Sequence, residues 1–506
     1  MEGIPMPTEN KLDHSRQFDR WRLSDHKNVK QVEDVVFSKI KPKLITVPDM
    51  KKLRTHFKMI LLDLIVAYLT DPKLYIAISR DKNRYVKGTR YRALYMSHLY
   101  TMAALDCLYE SGYIEQHKGF QDVVNRMTRI KSKPKLIKLF KLHKLESYMI
   151  NCEPDTKLIY LKNEDGKDIE YEETGYTKMI RSNLIKINSL LADSNIDLRI
   201  TDTMHSQILR DLAVKNDEEK KRWRPLKGKA NPYRMVTVDF SRNQLKRIFI
   251  DGVWDKGGRF YSVWWQSIPS KYRKYIRINE RSTVELDFKQ MHPTILYSLY
   301  GEALKDDPYT LDGFDKDSRG DLKIVLNTMI NAADDTSAKR SLQYGMPKAS
   351  LPDGYDSLDD VFEAFKTKHS VIADYFFTGY GKSLQFIDSV IAQDIMLKLN
   401  NYGVVCLPVH DSFIVASTHE QLLRDVMHRV FKARVGQIAQ IKKDKTIYNG
   451  MKRAPELSGD DTIKYLEQLK HDGETGDGIY SKYHQRKTEW YMANARGACL
   501  VTVNIQ

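Results

Sequence analysis

Apolar positions along the first part of the chain recur every three or four residues. Segments 50–68, 91–110 and 178–191 carry this spacing, which predicts amphipathic or buried helices between about residues 50 and 215. Residues 1–50 are polar with little periodicity and read as an arm. Residues 215–232 are charged, contain Gly228 and two prolines, and read as a linker. From about Tyr233 the pattern changes. Short β-branched runs alternate with helical stretches as far as about Tyr448, the mark of a mixed α/β unit. The last stretch, 451–506, is polar and rich in Gly and Asp, but Trp490, Tyr491 and the apolar run 500–505 suggest that its end docks back.

Three places in the α/β part break the ordinary pattern. In the first, Val284, Leu286 and Phe288 alternate with Thr283, Glu285 and Asp287, which predicts a strand. Pro293 then suits a first helical turn, Ile295, Leu296, Leu299 and Tyr300 form an apolar face, and Gly301 suits the C-terminal cap. Asp287 thus ends a strand, where a carboxylate can hold a metal ion or begin a turn. In the second, two apolar runs flank His410-Asp411, which predicts a hairpin with a carboxylate at its tip. Such hairpins usually turn on Asn-Gly or Asp-Gly, so His-Asp points to a chemical role. In the third, Ser318 and Asp321 resemble a capping box, and Leu322, Val325, Leu326, Met329, Ile330 and Ala333 mark an apolar helix face. Arg319, Lys323, Asn327 and Asn331 form a stripe opposite. A cation-rich start followed by two amides can lie along a triphosphate and reach sugar and base; a plain surface helix has the same pattern.

Composition narrows the partners. The 506 residues include 82 Lys and Arg against 66 Asp and Glu, a net charge of +16. A polyanion is the simplest explanation for that excess. Basic residues cluster with aromatics at 80–92 and 220–234, and 126–144 holds eight Lys or Arg residues. Cys107, Cys152, Cys406 and Cys499 are scattered, which argues against a zinc site or a disulfide framework. No apolar run is long enough to span a bilayer and no signal pattern opens the chain, so a soluble, cytoplasmic protein is expected, compatible with coding by a phage or mobile element.

In this order the three stretches resemble motifs A, B and C of the family-A DNA polymerases and of the related single-subunit phage-type RNA polymerases. A fourth, Asp255 to Pro269, contains Gly258-Arg259 and Gln266-x-Ile268-Pro269 and resembles the segment that contacts the primer–template minor groove. A fifth, around Gln385, is similar to a primer-contacting helix. The resemblance covers about residues 254–415. It implies an α+β right-hand polymerase: an N-terminal arm (1–50), a mainly helical thumb-like, nucleic-acid-clamping region (51–230), a palm with inserted compact fingers (231–450) and a C-terminal extension (451–506).

It further implies Asp287 and Asp411, with the Phe288 carbonyl, as ligands of two Mg²⁺ ions (Mn²⁺ an alternative), and Lys323 as a catalytic cation. Arg319, Asn327, Asn331 and His292 would meet the nucleotide; Arg259, Gln266, His410 and Gln385 would meet nucleic acid. Asn331-Ala332 stands where the family usually has Tyr-Gly, and His292 where the DNA polymerases usually have Glu. No acidic motif set for a proofreading exonuclease is evident in 1–230. The expected activity is DNA synthesis. An RNA polymerase or primase-like enzyme of the same fold is the main alternative, and an inactive nucleic-acid-binding protein is a second.

Overall fold

A computed structural model describes residues 12, 14–40, 48–85, 96–118, 127–146, 149–152, 158–222, 236–342, 355–443, 480, 483–484, 486–488 and 490–491. The architecture is mixed α/β with two large hydrophobic cores.

The first core draws on residues 29–150. Its centre is the helix Met50–Thr70. Asp49 caps it, accepting from the main-chain N–H of Lys51 and Lys52. From Met59 to Ala67 every side chain is buried, and all but Asp63 are apolar, as suits a central core helix. Around it lie the helices Lys27–Ile40, His98–Glu110 and Pro134–Leu142 and a sheet ordered Ser15–Gln17, Tyr75–Ile78, Thr128–Ser132, Ile114–His117.

This part therefore differs from the expected arm plus helical region. Val29, Val32, Val36, Phe37 and Ile40 of the supposed arm are buried at helical spacing, and a four-stranded sheet accompanies the helices. The supposed linker begins as helix, since Asp202–Arg222 runs through its start; the cluster 220–234 lies outside the residues whose side chains are described. So do positions 86–92 of the cluster 80–92, whose Arg80 is tied to Asp106 and to Gln116.

The second core begins at Leu158 and runs to Ala439. The change of core thus falls between Ile150 and Leu158, well before the change in sequence pattern near Tyr233. Its main sheet is ordered Leu407–Val409, Ser412–Ala416, Arg281–Phe288, Ile276–Ile278, Ile196–Leu198, and Ile441–Lys443 pairs with the far end of the strand Arg281–Phe288. The helices Met291–Leu299, Gly381–Asn400 and Glu420–Val435 supply the facing side chains. A smaller sheet, Gly257–Tyr261, Lys246–Phe249 and Ile159–Leu161, packs against Gly381–Asn400. Between the strand Arg281–Phe288 and that long helix are inserted Arg319–Asn331, Asp335–Leu342 and Leu358–Lys368. Ahead of the chain end, Tyr483 is buried, Arg486 forks onto Asp197, and Lys487 pairs with Glu280; the run 500–505 lies outside the described residues.

The two cores are joined by buried charge. Arg22 has no exposed side-chain surface. It donates to Asp63 of the central helix at 2.7 Å, to Asp239 at 2.6 Å and to Ser241 at 2.7 Å. Arg16 also forks onto Asp63, and Arg242 reaches Asp19 and Asp239. Burial would raise the carboxyl pKa of Asp239, but the guanidinium of Arg22, then those of Arg242 and Arg16, outweigh it and hold it well below the usual range.

A group whose pKa is depressed on folding stabilises above its unfolded value and loses that contribution as pH falls. Stability should therefore hold from pH 7 to 5 and decline below about pH 4. Arg22→Met leaves two buried carboxylates without their shared cation. It should lose about 3–5 kcal/mol at pH 7 and show a shallower acid decline. Urea denaturation across that range measures both; equal stability of the two proteins at pH 7 would refute the account.

Candidate functional site

Register places the two key carboxylates side by side. The strand Arg281–Phe288 pairs antiparallel with Ser412–Ala416, with Asp287 opposite Ser412. Val409 pairs with Ser412, so His410-Asp411 is the whole hairpin turn, as the sequence pattern predicts. Asp411 therefore sits next to the end of the Asp287 strand, and the Phe288 N–H approaches the Asp411 carbonyl at 3.4 Å. Phe288 itself is buried between Phe413 and Phe431, so only its main chain is available to a ligand.

Both carboxylates adjoin strained backbone. His410 has φ 58°, and Gln290, three residues past Asp287, has φ 55°. Non-glycine residues in the left-handed region are uncommon and cluster at functional sites. Gln290 precedes the helix Met291–Leu299, so Pro293 is its third residue rather than its first. Glu285, two residues before Asp287 and on the same strand face, accepts a forked pair from Arg273 at 2.9 Å for each bond and a bond from the Ser412 hydroxyl at 2.6 Å. That chain of bonds fixes the residue next to Asp411.

A cleft of about 660 Å³ opens beside Asp287. Lys289, Lys305, Arg319, Lys323 and Lys442 line it, against Asp287, Asp306 and Asp307. Arg319 and Lys323 come from the first turns of the helix Arg319–Asn331, whose buried face is the predicted one except at Ala333, which is exposed and lies past the helix end. The expected capping box is absent: the Ser318 hydroxyl bonds Asp315, and its own backbone is helical. Arg319 is engaged by Asp307, Nε to Oδ2 at 2.5 Å and Nη2 to Oδ1 at 3.2 Å. The Tyr309 ring lies under both cations, 5.1 Å from Arg319 and 5.7 Å from Lys323. Burial pushes its hydroxyl up to about 12.

The loop that carries Asp307 is held from below. Lys368 donates to the carbonyls of Asp307 and Thr310. His369 Nε2 donates to the Pro308 carbonyl at 3.0 Å, and its Nδ1 accepts from the Tyr297 hydroxyl at 2.9 Å. Burial lowers the His369 pKa, in keeping with a neutral ring between these two partners.

Farther along the same helix, Asn327 and Asn331 face a second open cleft of about 560 Å³. Asn331 Nδ2 bonds the Asn327 carbonyl, and its Oδ1 lies against Gly381 so closely that a Cβ there would come within 1.9 Å. Gln385 lies on the helix Gly381–Asn400, one turn before Asp388. Gln266 donates its amide to the carbonyls of Phe260 and Pro408, tying the Gly-Arg strand to the hairpin.

Arg259 owes its position to Gly257 and Gly258, at φ 72° and 73°, which form a bulge against Lys246–Phe249. It forks onto Asp388, with both Nε contacts at 3.0 Å. Burial depresses the Arg259 pKa, but the Asp388 carboxylate more than offsets this and the net shift is upward. His292 joins the same carboxylate, Nε2 to Oδ2 at 3.0 Å. His410 lies near Tyr261, and burial, then the charge of Arg259, lowers its pKa.

No protein-family model matches the chain, and no curated protein does. Among solved structures it is similar to the POL domain of Pol1 from M. smegmatis in complex with DNA primer-template and dNTP, at 11% identity and a TM-score of 0.34, covering 75% of this chain and 80% of that one.

The structure thus brings together Asp287, Phe288, Arg319 and Lys323 around one cleft, with Asp411 in the hairpin turn beside the Asp287 strand, sets Asn327 and Asn331 in a neighbouring cleft, and ties Arg259 and His292 to Asp388. Sequence reasoning did not single out Asp388, Glu285, Arg273, Asp307 or Tyr309. Glu285 carried a signal, its two-residue spacing from Asp287. The others meet their partners only in three dimensions.

The Gly-Arg element offers a direct check. A Cβ on Gly258 would lie 2.8 Å from Phe249, 3.0 Å from the Ser389 hydroxyl and 3.2 Å from an Arg247 nitrogen. Gly258→Ala adds left-handed strain to that overlap and should destabilise by about 2–4 kcal/mol in chemical denaturation. An unchanged midpoint would contradict the packing.

Proposed function

We propose that this chain is a template-directed nucleotidyltransferase, and specifically a DNA polymerase without a proofreading exonuclease. The observation that carries the reading is the pairing of Asp287 with Ser412, which sets Asp411 beside the end of the Asp287 strand, at a cleft that Asp287, Arg319 and Lys323 line together. In this reading residues 158–443 are the palm with inserted fingers, and the first core, with its basic surface, clamps the duplex.

The donor set fits magnesium. Asp287, Asp411 and the Phe288 carbonyl would all offer oxygen donors. Magnesium prefers oxygen ligands and fills its remaining positions with water and substrate phosphates. Such a pair of ions supplies activation of the attacking 3′-hydroxyl and neutralisation of the leaving pyrophosphate.

The chain's own residues supply the rest. Arg319 exchanges Asp307 for the incoming triphosphate, an anion for an anion. Lys323, exposed beside it, stabilises the charge that develops on the pyrophosphate and can give it a proton. Asn327 and Asn331 meet the sugar and base, and Gln385 the primer strand. Gln266 holds Arg259 and His410 in register near the primer end. His292 faces the sugar, where a ring leaves little room for a 2′-hydroxyl, which favours deoxynucleotides.

Among described residues no helix is long and apolar enough to cross a membrane, and the expected site of action is the cytoplasm.

Asp287→Asn or Asp411→Asn should abolish primer extension with Mg²⁺ while leaving the fold and template affinity intact, as circular dichroism and a binding assay would show. Near wild-type extension by either variant would end the reading.

The clamp is tested separately. Lys131 bonds the Tyr75 hydroxyl and pairs with Glu115, and Lys135 bonds the Ser111 carbonyl, so these two have local structural work. Lys133, Lys138, Lys141 and Lys144 are exposed. Replacing those four with Ala should weaken duplex binding on every sequence alike and lower the salt slope by up to about 3–4. An unchanged slope would remove this surface from the interface.

A further inference from the structure

The carboxylate of Asp388 is 2% exposed and lies where three elements meet. Arg259 reaches it from the strand Gly257–Tyr261, His292 from the helix Met291–Leu299, and Asp388 itself stands on Gly381–Asn400. Three contacts from Arg259 and one from His292 converge on its two oxygens. On the same helix, Arg247 donates to the adjacent Ser389 at 2.9 Å and to Gln393, just over a turn farther on, at 2.8 Å, and also to the Gly258 carbonyl at 2.7 Å. The helix and the Gly-Arg strand are thus locked at two levels, and Asp388 cannot shift without moving both.

We propose that Asp388 is the positioning residue for sugar selection, fixing the His292 ring and the Arg259 fork as one unit; this rests on the DNA polymerase reading above. A carboxylate only accepts, so the proton of the 3.0 Å bond sits on His292 Nε2. That bond restricts the ring's freedom to rotate. The point matters because a side chain excludes a hydroxyl only as firmly as it resists being pushed aside. His292 is in the first turn of its helix and its side chain is 20% exposed, so nothing in its own element immobilises it. Asp388 does so from another element. Its charge is balanced by Arg259, and the imidazole of His292 adds a third donor.

The test is single-nucleotide insertion on one primer–template, comparing kcat/KM for dNTP and NTP. Wild type, His292→Ala, Asp388→Asn, Asp388→Ala and the double variant His292→Ala with Asp388→Ala are compared. His292→Ala should lower discrimination against NTP by roughly tenfold or more. Asp388→Ala should reproduce most of that loss, and Asp388→Asn, which keeps the shape and one acceptor, should lose less. In the His292→Ala background Asp388→Ala should leave the ratio where it is, because the ring it positions is gone.

A merely structural Asp388 would depress both kcat/KM values together and leave the ratio intact; that result overturns the proposal, as does a double variant whose losses multiply. Asp388→Asn keeps the question decidable should the Ala variant not fold. A wild-type protein that prefers NTP, or that extends with neither substrate, is a different failure. It removes the DNA polymerase reading itself, and the sugar role with it.

Discussion

The register between the strands Arg281–Phe288 and Ser412–Ala416 is the constraint on which the site depends. Side chains alternate along a strand, so a slip of one residue would turn Asp287 into the core and Leu286 out of it. The slip is prevented from both faces. Val284, Leu286 and Phe288 are buried on one side, with Phe413 and Phe431 packed on Phe288. On the other, Glu285 is held by Arg273 and the Ser412 hydroxyl. Burying apolar side chains is worth about 1.5–3 kcal/mol each. The polar clamp contributes less energy but distinguishes one register from its neighbours. The strained turn at His410 persists because the strands on either side are fixed.

Arginine does a related task throughout the interior. Arg22, Arg247 and Arg259 are each largely enclosed, and each binds groups from different elements. Arg22 and Arg259 meet carboxylates. Arg247 bonds a main-chain carbonyl, a hydroxyl and an amide, with Phe249 and Phe260 about 5 Å from its guanidinium. Without a carboxylate at hydrogen-bond range, burial depresses its pKa to about 10, which still leaves it charged at neutral pH. A planar group with five donors can hold several backbones at set angles, which a point cation cannot do.

Much of the second core was legible because its patterns are local. The alternation before Asp287, the apolar runs around His410-Asp411 and the buried face of Arg319–Asn331 each follow from spacing within one element, and each is present in the structure. The helix Lys27–Ile40 was equally local and was missed: Val29, Val32, Val36 and Ile40 have the spacing, but the surrounding charge hid it. The first sheet was harder, because its strands are short and pair across long intervals. Asp388 illustrates what spacing cannot carry. Along the chain it is one acid on a helix. Its importance comes from Arg259 and His292, 129 and 96 residues away.

Arg22 also bears on how the molecule can be divided. By position in the chain it belongs to the first core, yet its guanidinium completes the charge balance of Asp239 in the second. A fragment that begins at Leu158, where the apolar clusters separate, would carry Asp239 without that cation. The natural place to dissect the chain by hydrophobic contacts is therefore not a place where its electrostatics come apart. The two cores behave as separate oil drops that share one ionic rivet, and neither inherits a complete interior when the other is removed.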